Sequence, residues 1–261
     1  MRPINILPKL LTLTLFLPAA QAQDRPFLFT LTPPESRERP VFVHYDAAYG
    51  QETFEPFGGD NIEQNLGLHA NIGQFLTFIA HVGLALDNGS THTSQHGELL
   101  THVMRSEDHV IDLSAGAGLR HEYSGTNVLL GRVVLGRRFT SWQLYGNLLL
   151  EKPLSSDRDN IDLITTLGLS YHMSGTIRLG IEAVGQDLEG FWDENEAEGG
   201  ATLFVGPAVC AAFPGTSWTL TLGGGPIFRA SLSPRTSEAV RSLPPGKQNG
   251  FVVRSVIGFA L

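Results

Sequence analysis

Three histidines, His44, His69 and His81, fall on one face of three successive segments in which apolar and polar residues alternate. Imidazole is a common ligand for late transition metals and titrates near neutral pH, so such a trio could bind a metal or sense protons. Composition does not set their heights, and histidines scattered over a polar face are the simpler expectation; no metal site is assigned to them. A second set is ionic. Asp46, Asp87 and Asp112, then Arg120, Arg132, Arg138, Glu151, Asp162, Arg178, Glu182, Arg229 and Arg254, all take the polar side of such alternations. Opposed guanidinium and carboxylate groups in a narrow enclosure can bond to one another and brace it. They can also line a charged constriction that selects solutes. The residues from Arg120 to Arg254 in that series are the candidates for the second role.

Other chemistry is weakly supported. The run Asp187–Glu198 is dense in carboxylates, which suit Ca²⁺, but lacks the ligand spacing of an EF-hand loop. A solvated acidic loop is expected there. Acyl-transfer hydrolysis needs a serine and a histidine in hydrogen-bond reach, oriented by a third group. Ser170 and His172 share the polar face and Ser255 lies on the apolar face with no evident partner. There is no Gly-x-Ser-x-Gly turn and no phosphate-cradling loop. No catalytic residue and no cofactor are assigned.

The elements that must carry these residues are strands. Period-2 alternation predicts them at 41–50, 63–72, 75–87, 98–105, 108–120, 128–139, 141–151, 160–172, 176–186, 199–213, 218–229 and 251–261. The segment 98–105 is the weakest of these, and 88–97 before it reads as a polar loop. Most run to ten residues or more, longer than the ~5–6 of soluble strands. They match the ~9–11 residues of a tilted strand crossing a bilayer. Connections after the even-numbered strands are short. Those after the odd-numbered ones are longer, apart from Ser124–Asn127. Phe75, Phe78, Phe139, Trp142, Tyr171, Phe213, Trp218 and Phe259 cluster towards the short-turn end, as interfacial rings do.

Residues 1–22 read as an export signal: Arg2 and Lys9, the apolar run Leu10–Leu17, and Ala20-Gln21-Ala22 as a cleavage site. Residues 23–40, rich in proline and charge, read as a periplasmic lead-in. A short strand at Phe27–Leu31, or a tuck of that stretch into the lumen, is the alternative. Residues 41–261 form one domain. The formal net charge of -8 argues against a nucleic-acid partner, and losing Arg2 and Lys9 makes the exported chain more acidic still. After cleavage only Lys152 and Lys247 remain as lysines, an unusual surface for a soluble β protein. Cys210 is the single cysteine, so no intramolecular disulfide forms.

The final stretch Phe251–Leu261 closes the case for the architecture. Ile257, Phe259 and Leu261 alternate outward up to the last residue. A terminal strand with an apolar i, i+2, i+4 pattern resembles the bacterial outer-membrane β-barrel class, although that class typically ends on an aromatic. The alternating segments number twelve, and the resemblance implies an all-β, antiparallel transmembrane barrel in the outer membrane, with membrane lipid around it. It implies passage or binding of small solutes through a charged lumen. A lipid-modifying enzyme, since one phospholipase class has twelve strands, and a non-conducting structural or adhesive barrel are the alternatives.

Overall fold

The computed structural model describes residues 25–33, 40–50, 61–87, 89–106, 109–154, 161–192, 201–230 and 249–261. The leader and the connections at 51–60, 155–160, 193–200 and 231–248 lie outside the described residues. Twelve strands alternate along the chain: β1 Val41–Gly50, β2 Asn61–Ile72, β3 Leu76–Asp87, β4 Ser90–Met104, β5 Asp112–His121, β6 Asn127–Arg138, β7 Trp142–Pro153, β8 Asp162–His172, β9 Ile177–Gln186, β10 Ala201–Ala212, β11 Trp218–Ala230 and β12 Gly250–Ala260. Every neighbouring pair is antiparallel, and β1 pairs with β12, from Phe42↔Ala260 to Gly50↔Val252. The sheet therefore closes on itself, and no strand is left with unpaired backbone groups. This is an all-β transmembrane barrel.

Alternation sorts the side chains. Leu66, Val82, Leu99, Leu135, Leu148, Leu167, Ile181, Leu222 and Val253 are exposed on the outer wall. Phe75, Phe139, Trp142, Phe213 and Trp218 are exposed near the short-turn end, and rings pair across strands there: Trp142 on Tyr171 at 4.6 Å and Trp218 on Phe259 at 4.7 Å. An apolar band with an aromatic rim suits a bilayer and its interface. Ser255 faces this outer side, and its hydroxyl donates to the Ala47 carbonyl of β1 at 3.3 Å.

Two expectations are corrected. The polar stretch 88–97 is not a loop; from Ser90 it is the first half of β4, the longest strand at 15 residues. Asp87 pairs directly with Ser90, so the connection is two residues long and ends on Gly89 at φ 84°. Asn-Gly is the strongest hairpin-turn signal because the turn requires positive φ. The absence of apolar alternation in Ser90–Gln95 hid the strand. The second concerns the lead-in, where the alternative reading holds for its described part: residues 25–33 lie within the lumen, packed on its inner wall, while 34–39 lie outside the described residues. Acidic residues from Asp187 begin with a short 3₁₀ turn, Leu188–Phe191, whose Leu188 covers Gly185; the rest of that run lies outside the described residues.

Candidate functional site

The lumen is built by the inward residue of every second position. Along β1 to β5 that face is polar: His44, Asp46, Glu63, Asn65, His69, His81, His96, Glu98, His102, Asp112 and Arg120. Along β6 to β12 it mixes ionic residues, Arg132, Arg138, Glu151, Asp162, Arg178, Glu182, Arg229 and Arg254, with glycines and apolar side chains. Val128, Leu130, Leu149, Ile164, Val184, Phe204, Ile227 and Val252, with Ala48 of β1, form one buried apolar cluster on the inner wall. Leu100, Val134 and Tyr145 form a second.

The N-terminal segment fills the middle. Phe29 packs against the first apolar cluster, its ring 5.0 Å from that of Phe204, and Phe27 belongs to the second. Glycines make the room. A Cβ on Gly168 would lie 2.7 Å from the Phe27 ring, and one on Gly223 would lie 2.8 Å from Leu28 Cδ1. The segment is neither helix nor strand, so its backbone groups need partners from the wall. Glu182 supplies three. Its carboxylate accepts from the backbone N–H of Leu28 (2.6 Å), Phe29 (3.0 Å) and Thr30 (2.9 Å). Asn147 imitates a strand edge, accepting from Leu31 N at 2.7 Å and donating to Leu31 O at 3.0 Å. Thr221 donates to the Arg25 carbonyl at 2.9 Å.

The ionic residues form pairs between walls and neighbours. Arg254, 2 % exposed, holds Asp46 through Nε at 2.9 and 2.8 Å and through a further Nη2 contact, and stacks its guanidinium 4.8 Å from the Phe29 ring. Arg132 Nε donates to both Glu98 oxygens, at 2.8 and 3.1 Å. Arg120 bridges Glu151 at 2.6 Å and Glu122 at 2.7 Å. Asp112 accepts from Tyr145 and Ser106. Asp162 is buried opposite Glu151. Arg138 stands opposite Gln143 at the short-turn end, Arg178 opposite His172 and Cys210, and Arg229 opposite Thr202. Arg132, Arg178 and Glu182 thus do not frame one open path. Glu182 is taken up by the segment, and a cavity of about 120 Å³ is left between segment and wall.

The histidines do converge. His44, His69 and His81 bring ring nitrogens within 4.8 Å of one another, and His96 meets His81 edge to face with ring centres 5.2 Å apart. Sequence reasoning passed over His96, Glu98, Asn147 and Arg25. The first two lie in or beside the missed half of β4, and their phase with Leu100 and His102 was the available signal. Asn147 and Arg25 carried none, because their role exists only once the segment is inside.

No family model matches the chain, and no curated protein matches it. Solved structures do. The NanC porin superposes with a TM-score of 0.59 at 7% identity over 84% of this chain and 100% of its own. The KdgM porin, solved in complex with disordered oligogalacturonate, gives 0.57 at 8% identity over 84% and 99%. At such identity the likeness establishes the barrel fold.

Proposed function

We propose that the protein is an outer-membrane channel for small polar solutes, closed at rest by its own N-terminal segment. The observation that carries this reading is the seat of residues 25–33. Phe27 and Phe29 are set in apolar parts of the lumen wall, and the contacts fastening them are hydrogen bonds to Glu182, Asn147 and Thr221. An apolar constriction expels water and ions, so a ring-filled one blocks conduction. Non-covalent fastening is reversible. Around the remaining cavity stand Arg25, Arg120, Arg132 and Arg254, the last three paired with Glu151, Glu98 and Asp46, a polar lining suited to small polar solutes. The Arg–carboxylate pairs favour a second reading, a braced barrel that conducts nothing.

Planar-bilayer recording separates the two. The wild-type barrel is expected to stay closed for most of the record. Glu182→Ala removes the acceptor of three backbone N–H groups, each costing about 1–3 kcal/mol when left buried and unpaired. That variant is expected to show stable conductance steps. A correctly folded Glu182→Ala barrel that never conducts sinks the channel reading.

A further inference from the structure

We infer that the lumen contains a binding site for a late first-row divalent metal ion, formed by His44, His69 and His81, and that Arg25 of the N-terminal segment competes for it. Barrel register creates the site. His44 of β1 pairs with Gly67 of β2, and Gly67 pairs with His81 of β3, so the two histidines stand at one height on either side of a glycine. A Cβ on Gly67 would collide with the His44 ring and come within 2.8 Å of His81 Cδ2. The missing side chain lets both rings lean over β2. His69, two residues along on the same face, completes the triangle.

The spacing is close to that of a metal centre. Tetrahedral zinc with Zn–N of ~2.0–2.1 Å separates its nitrogen ligands by about 3.3 Å. His69 and His81 already hold their Nε2 atoms 3.4 Å apart. The widest separation among the three ligand atoms stays within 4.8 Å, and rotation of His44 about its side-chain bonds narrows it. Three neutral imidazoles suit Zn²⁺, Ni²⁺ or Cu²⁺ over the oxygen-seeking Ca²⁺ and Mg²⁺, and leave a coordination position open.

The niche also accepts positive charge. Arg25 Nη1 donates to His69 Nε2 at 3.2 Å, and the guanidinium lies 4.6 Å from the Phe42 ring centre. His69 Nε2 cannot serve the guanidinium and a metal together, and two cations this close repel. Metal entry must displace Arg25, the first described residue of the segment. The binding step stands whether or not the barrel conducts, because its readout is metal affinity.

The test is titration of untagged, refolded full-length barrel in detergent with Zn²⁺ by calorimetry and with Co²⁺ by visible absorption. One ion per chain with a tetrahedral Co²⁺ spectrum is expected. His81→Ala should weaken binding by at least ~10-fold, the scale on which site residues tune metal affinity. Gly67→Ala, which keeps every ligand, should weaken it by displacing the rings. Arg25→Ala should tighten it. Absent Co²⁺ bands, or affinity unchanged in both His81→Ala and Gly67→Ala, overturns the site. Unchanged affinity in Arg25→Ala overturns the competition.

Discussion

The two halves of the lumen wall solve the same problem in opposite ways. Strands β1–β5 present the imidazoles His44, His69, His81, His96 and His102 with carboxylates, and β6–β12 present the arginines Arg132, Arg138, Arg178, Arg229 and Arg254 among glycines and apolar residues. On the first half, side chains satisfy one another or reach across: Glu98 meets Arg132, His102 lies between Thr77 at 2.8 Å and Ser114 at 2.9 Å, and Tyr123 reaches Glu63 at 3.1 Å. On the second half, Gly168 and Gly180 leave space that the wall itself does not fill. The N-terminal segment fills it with Phe27, Leu28 and Phe29. The imidazole and carboxylate wall is braced from its own side and by arginines reaching across; the glycine-rich stretches of the other wall take a lodger. Glu182 is where the two strategies meet, a buried carboxylate on the small-residue side whose partners come from the lodger's backbone.

The largest effect should follow from breaking the bracing. Asp46→Ala leaves Arg254 buried without its bidentate partner, and breaking such a pair costs about 3–5 kcal/mol. The expected readout is a lower urea midpoint for folding into lipid vesicles. A midpoint equal to wild type would mean that the ion pairs do not brace the barrel. A smaller effect should follow from filling the space. Gly168→Val drives a side chain into the Phe27 ring; overpacking of this kind costs about 1–3 kcal/mol. Here the segment, held by few contacts, should yield before the barrel does. Conductance should rise while the urea midpoint stays near wild type, and the reverse pattern would erase the contrast between the halves. The smallest effect belongs to the rim. Glu122→Gln removes one of the two carboxylates on Arg120 and leaves Glu151, so a change below about 1 kcal/mol is expected. A larger loss would extend the braced network out to the β5–β6 turn.

Much of the barrel was legible from residue order because a membrane strand must alternate for ten residues or more. Each of the twelve strands has its counterpart in the alternation, and β1 has the expected bounds, Val41–Gly50. The sides taken by His44, Asp46, His81, Arg120 and Arg254 were legible for the same reason: a period of two assigns faces without knowing neighbours. The first half of β4 was not, since Ser90–Gln95 is polar on both faces and only Asn88-Gly89 marked its turn.

What residue order determined is therefore the wall: strand number, inward face, aromatic rim and closure through the final strand. What only the tertiary structure decided is which wall residues meet. Register sets heights, and heights bring His44 and His81 level across Gly67 while leaving Arg178 and Glu182 with separate partners. The seat of residues 25–33 was decided there too. A proline-bounded stretch with Phe27, Leu28 and Phe29 has no period of its own. Its conformation depends on the wall's glycines and on acceptors such as Glu182 and Asn147, brought together only when the barrel closes.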